Sequence, residues 1–100
     1  NPKNNPLILT ITMLFRYFLN LLTYHYQKKS TPSPQEMAKI LGINPYFMKD
    51  YTEGAKRYNA MKCANIISWL REYDLKSKGV GNANISDGQL LRELIFKIMH

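Results

Sequence analysis

The stretch from Ser33 to Tyr58, SPQEMAKILGINPYFMKDYTEGAKRY, leaves this chain few folds to choose from, because it carries start and stop signals for two helices with only a tight turn between them. Ser33 has the hydroxyl of an N-cap, Pro34 pre-sets the first-turn φ, and Glu36 stands where it closes a capping box. Gly42 lacks a Cβ and so takes at little cost the left-handed conformation that ends a helix. Asn44 and Pro45 then repeat the start signal. Met37, Ala38 and Leu41 fall on one apolar stripe, and Ile43, Met48 and Tyr51 are placed to fold back onto it. A helix-turn-helix corner is the expectation. Two functional classes use such a corner: readers of DNA, and helical protein-interaction bundles.

Ahead of the corner, Asn5 and Pro6 open a segment predicted to be helical from Leu7 to Gln27. Residues 1–6, NPKNNP, read as a tether, which leaves 7–100 as the domain proper and points to a domain excised from a larger protein. The helix is as long as a membrane span, but Arg16 sits near its middle, where a charge costs about 2.5–3.5 kcal/mol in the bilayer. Thr10, Thr12, Asn20 and Thr23 add to that cost, so the membrane reading is set aside. Thr12, Arg16, Asn20, Thr23 and Gln27 make one narrow polar stripe, opposite Ile8, Ile11, Phe15, Phe18 and Leu22. Leu9, Met13, Leu14, Tyr17 and Leu21 fill the flanks. A helix apolar over much more than ~100° of its circumference needs partners on more than one side. It is therefore expected to be the central helix of the domain, or one shared with another subunit.

Residues 28–33, with Pro32 and a following Pro34, form a loop, since two prolines cannot continue a helix. Beyond the corner Asn59 is placed to cap a long helix whose buried face would be Cys63, Ile66, Ile67, Leu70 and Tyr73, with Trp69 beside it. Asp74 and Lys78 have i,i+4 spacing for an ion pair. GVGNANIS is a loop, and Ser86 with Gln89 marks a further capping box before Leu90, Leu91, Leu94, Ile95, Ile98 and Met99. The prediction is an all-α chain, a single bundle of about five helices near residues 7–27, 34–41, 45–57, 60–78 and 87–99. With 45% apolar residues, 100 residues can bury a modest core.

Chemistry is hard to find in this sequence. There is no GxxxxGK[ST] to cradle a triphosphate, so no ATP binding is expected. The only cysteine, Cys63, is expected as a small core residue in a reducing compartment, and no signal peptide is visible. His25 and His100 lack the clustered Cys, His or carboxylates of a metal centre, and no nucleophile stands with a base and an orienting group. No catalytic, cofactor or metal site is assigned. Fourteen Lys and Arg against seven Asp and Glu give a net charge of +7, which permits an anionic partner. Yet the second helix of the corner opens with Asn44, Pro45, Tyr46 and Phe47, followed by Lys49 and Asp50, rather than with a set of base-reading side chains. Exposed aromatics suit a protein contact better.

The segment LGINPYFMKDYTEGAKRYNAMKCANIISWLREYDLKSKG resembles the carboxy-terminal domain of the delta subunit of bacterial DNA polymerase III, the clamp-loader subunit. The resemblance lies in Leu41, Gly42 and Ile43, in Pro45 with Tyr46 and Phe47 opening the next helix, in Lys56 and Arg57 before Tyr58, and in Asp74, Leu75 and Lys78 closing the long helix. The preceding helix and the short leucine-rich final helix are similar too, whereas Asn59, Ser77 and the loop GVGNANISDG depart from the pattern. The resemblance implies a helical collar domain that binds neighbouring loader subunits of gamma/tau and delta-prime type, in the cytoplasm at the replisome. It also implies that ATP, the sliding clamp and DNA are handled mainly elsewhere in the loader, with no cofactor and no membrane. Leu9, Met13, Tyr17, Tyr46, Phe47 and Trp69 are the candidate interface residues. A helix-turn-helix DNA-binding domain over Ser33–Tyr58, or a generic helical interaction domain, stands as the alternative.

Overall fold

The computed structural model describes residues 5–81 and 84–100. Five α-helices follow one another: α1 (Pro6–Gln27), α2 (Pro34–Leu41), α3 (Met48–Arg57), α4 (Ala60–Ser77) and α5 (Asp87–Met99). Single 3-10 turns occupy Lys28–Ser30 and Pro45–Phe47, and no strand occurs among the described residues. The all-α expectation therefore holds. Its third helix begins later than expected, because Pro45–Phe47 turns more tightly before α3 starts at Met48. Part of the expected loop GVGNANIS, Asn82 and Ala83, lies outside the described residues.

The chain packs as two compact units. The first holds the described residues up to Arg16 and from Ile66 onward. Leu7 and Ile11 of α1, Ile66, Ile67, Leu70 and Tyr73 of α4, and Leu90, Leu94 and Ile98 of α5 are its buried side chains. The last three recur every four residues, which lines them along one edge of α5. Both helix starts in this unit are capped from the sequence. Asn5 Oδ1 accepts from the N–H groups of Leu7 (3.0 Å) and Ile8 (3.2 Å), and Ser86 Oγ accepts from that of Gln89 (3.2 Å). Asn5 Nδ2 also donates to Asp87 Oδ2 at 3.2 Å, tying one helix start to the other. Lys78 and Asp74 form the expected ion pair at 2.9 Å; being exposed, such pairs contribute a few tenths of a kcal/mol.

The second unit, Tyr17–Asn65, is built on the corner. Met37, Ala38, Leu41 and Met48 are buried together, with Tyr24, Ile43 and Tyr51 packed against them. Ser33 and Glu36 complete their capping box, the hydroxyl accepting from Glu36 N–H at 3.1 Å and the carboxylate from Ser33 N–H at 2.9 Å. Gly42 takes φ 68° and ψ 35°, and its N–H bonds back to the last carbonyls of α2. The break between α3 and α4 is held by one carbonyl, that of Tyr58. His25 Nε2 lies 2.7 Å from it and Cys63 Sγ 3.6 Å, and since a carbonyl only accepts, both donate. Asn59 Oδ1 then accepts from Lys62 N–H at 2.8 Å and starts α4.

The buried face of α1 differs from the one expected. Leu7, Ile11, Phe18, Leu21 and His25 are the buried residues, while Ile8, Phe15 and Leu22 are only half-buried. The inner row is thus turned from the Ile8 and Leu22 side toward Leu7 and Leu21. By length and composition Pro6–Ser30 would also suffice to cross a membrane, a test that a core helix passes too. Arg16 is exposed at its middle.

The capping box has a pH signature. Hydrogen bonds from Ser33 hold the Glu36 carboxyl below its ordinary value of 4.5. A carboxyl with a folded pKa lower than its unfolded one adds stability above the unfolded value and loses it as pH falls through the folded one. Glu36→Gln is therefore expected to lower stability at pH 7 slightly and to flatten its decline below about pH 4.5, so that variant and wild type converge in acid, as thermal melts across pH 2.5–7 would register.

Candidate functional site

Among the described residues no group of three or more His, Cys, Asp and Glu side chains could hold a metal ion. Cys63 is buried, and burial pushes its thiol up to about 11, which leaves it protonated and unreactive at neutral pH. The groups that stand out are apolar side chains in water.

In the first unit Leu9 and Met13 lie one turn apart on the same face of α1, and Met13 is 64% exposed. Nearby in sequence, Thr12 closes on its own helix, its hydroxyl donating to Ile8 O at 2.9 Å, so it presents little polar competition to that face. Trp69, of the same unit, is half-buried, and Lys97 Nζ lies 5.2 Å from the centre of its ring. Lys97 is also within 3.9 Å of Glu72, so the indole sits under a cation already engaged with a carboxylate. Beside the inner row of α5 runs an outer one: Ile95, Phe96 and Met99 are exposed, Phe96 by 66%, with its ring stacked on His100 at 4.5 Å.

In the second unit the Asn44 cap sets the aromatic pair. Asn44 Oδ1 accepts from Tyr46 N–H at 2.9 Å, Pro45 fixes the first φ, and the short 3-10 turn displays both rings. Tyr46 is 83% exposed, and its ring meets that of Phe47 edge to face at 5.4 Å. Tyr17 is placed differently. It is half-buried, its ring 5.1 Å from Tyr51 and 5.2 Å from Phe18, with its hydroxyl over Gly54. Burial first, then the neighbouring Tyr51, Tyr58 and Asp50, raises the pKa of that hydroxyl above 10.0.

Of the six residues singled out in the sequence, Leu9 with Met13 and Tyr46 with Phe47 are thus displayed as neighbouring pairs. Tyr17 packs inside its own unit, and Trp69 is partly covered. The outer row of α5 was merged in the sequence with the inner one, although Leu91, Ile95 and Met99 repeat at four-residue spacing beside Leu90, Leu94 and Ile98. Two adjacent apolar stripes on a 13-residue helix are the signal that could have separated them. At the corner, the exposed start of the second helix shows rings rather than donors and acceptors for base edges.

Fold and surface together define an all-α domain whose distinctive groups are apolar side chains displayed on helices. The chain matches the family described as DNA polymerase III delta subunit, C-terminal domain, over residues 2–98, and it belongs to that family, a structural domain of a clamp-loader subunit. Comparison with curated proteins and with solved structures gave no match.

Proposed function

We propose that this domain is the assembly element of a clamp-loader delta subunit, joining it through its helix faces to neighbouring loader subunits of gamma/tau and delta-prime type while the sliding clamp is loaded. The observation that carries this reading is the display of large apolar side chains that neither unit's core uses, Leu9 and Met13 on α1 and Tyr46 and Phe47 before α3. Small monomers rarely leave apolar patches beyond a few hundred Å² uncovered, and aromatic residues concentrate at the centres of protein interfaces. Trp69 and Tyr17, each half-buried, have less surface to offer a neighbour. On this reading the domain performs no chemistry, takes no cofactor and works in the cytoplasm at the replisome, and other parts of the loader contact ATP, clamp and DNA.

Surface variants test it. Calorimetric titration of the chain against the corresponding collar domains should give a measurable affinity, weakened roughly thirtyfold by truncating a central aromatic in Tyr46→Ala or Phe47→Ala, as a loss of about 2 kcal/mol implies. Met13→Asp should do the same by placing a charge in the contact. Tyr17→Ala is a poor probe, because it empties a packed site within the unit. Wild-type affinity in all three surface variants would refute the assignment of these faces.

A further inference from the structure

We propose that a cleft in the second unit, where the chain leaves α1 and enters the corner, binds an acidic segment of another protein by taking in one of its apolar side chains. The cleft has a volume of about 280 Å³. Tyr24, Pro32, Met37 and Met48 give it apolar walls, and two exposed lysines, Lys28 and Lys49, line it as well. Proline carries no N–H, and Met37 and Met48 are members of the core cluster, so these walls offer dispersion; Thr31 and Thr52 are the uncharged polar residues of the lining, and the Thr52 hydroxyl donates to Lys49 O.

The charges at the cleft are one-sided. None of its lining residues is acidic. Neither lysine ammonium has a carboxylate or ring partner among the described residues, whereas Lys29, next in sequence, lies 5.8 Å over the Tyr26 ring. The nearby acids are otherwise engaged or apart. Glu36 bonds to Ser33 N–H, and neither Asp50, next to Lys49 in sequence, nor Glu53, four residues on, forms an ion pair with it. An apolar pocket beside two unneutralised cations is complementary to a hydrophobic side chain flanked by carboxylates.

Size and shape choose among anionic partners. At about 280 Å³ the cleft lies at the lower edge of the range of about 300–1,000 Å³ usual for drug-sized ligands, room for one side chain and its neighbours. Single-stranded nucleic acid needs a track of cations and an open aromatic face to stack on. The cleft has two lysines, and the ring in its wall, Tyr24, is half-buried against the core. A peptide with a leucine between acidic residues meets each feature. This inference stands independently of the assembly proposal, which concerns other side chains.

The test is an NMR titration of the 100-residue chain with an acetylated hexapeptide of sequence Glu-Asp-Leu-Leu-Asp-Glu, alongside peptides with serine for leucine or lysine for the acids, and oligo-dT of six nucleotides. The acidic leucine peptide should shift the amides around residues 31–37 and 48–52. Lys28→Glu with Lys49→Glu should weaken it roughly tenfold or more, since both charge terms reverse. Both lysines are exposed, so the fold should survive, and single Lys→Gln changes, each weakening the binding less, serve if it does not. Thr52→Phe, which fills the cleft from its lining, should abolish the shifts without altering the circular dichroism. The proposal is overturned if millimolar peptide leaves these amides unmoved, if the serine or lysine peptide binds as well, if oligo-dT is preferred, or if the lysine variants bind like wild type.

Discussion

Leu94→Ala is expected to lower the unfolding free energy by about 2–5 kcal/mol, through lost transfer energy and the cavity left behind. Leu94 is fully buried at the centre of the inner row of α5, between Leu90 and Ile98. At 13 residues α5 is near the length at which an isolated helix is marginal in water, so its stability comes from that buried row and from the Ser86 cap. Its immediate neighbour supplies the control. Ile95 is exposed, and Ile95→Ala should cost less than about 0.5 kcal/mol, as surface changes usually do. Urea titrations of both variants, read by circular dichroism, test which stripe faces inward, and equal losses would contradict the assigned face.

The second large effect is expected at Gly54, inside α3. In an open helix, replacing glycine with alanine would gain about 1 kcal/mol of propensity. A Cβ at Gly54, however, would run into the Tyr17 hydroxyl and lie 3.3 Å from Tyr17 Cζ and 3.4 Å from Leu21 Cδ2. Leu21 is fully buried and the Tyr17 ring is fixed between Tyr51 and Phe18, so neither yields easily. Gly54→Val is therefore expected to cost about 1–3 kcal/mol by overpacking. The cause is separable by a double-mutant cycle: Tyr17→Phe removes the nearest atom and should recover part of the loss in Gly54→Ala. If Gly54→Ala proves stabilising in the wild-type background, the tight approach of Tyr17 does not exist in solution.

Those two sites show what could be read from the chain beforehand and what could not. Helix ends were legible at Ser33, Gly42, Asn59 and Ser86, because a cap is a local event between residues two to four apart; the expected capping box is complete at Ser33 and Glu36, while at Ser86 only its hydroxyl half, to Gln89 N–H, is formed. The buried faces of the corner and of α4 were legible too, since their apolar residues fall on one stripe. The face of α1 was not. Its apolar residues cover most of the circumference, so periodicity could not choose Leu21 over Leu22, and the choice was made by packing against residues distant in sequence. The role of His25 was not legible either, because the carbonyl it serves belongs to Tyr58, 33 positions on. Among the candidate site residues, Tyr46 and Phe47 could be foreseen as displayed because they follow Asn44 and Pro45 at a helix start, ahead of the stripe that Met48 and Tyr51 turn toward the corner. Tyr17 could not, since only the absence of a side chain at Gly54 lets its ring settle there.

The most direct measurement is native mass spectrometry of the wild-type chain mixed with the collar domains of its matching loader subunits. If the domain is an assembly element, hetero-oligomers containing it should form at tens of micromolar and be lost with Met13→Asp and Tyr46→Ala together, as expected when both displayed pairs are spoiled. If the chain instead stays alone at those concentrations while the complete subunits assemble, the collar role assigned to this domain is wrong.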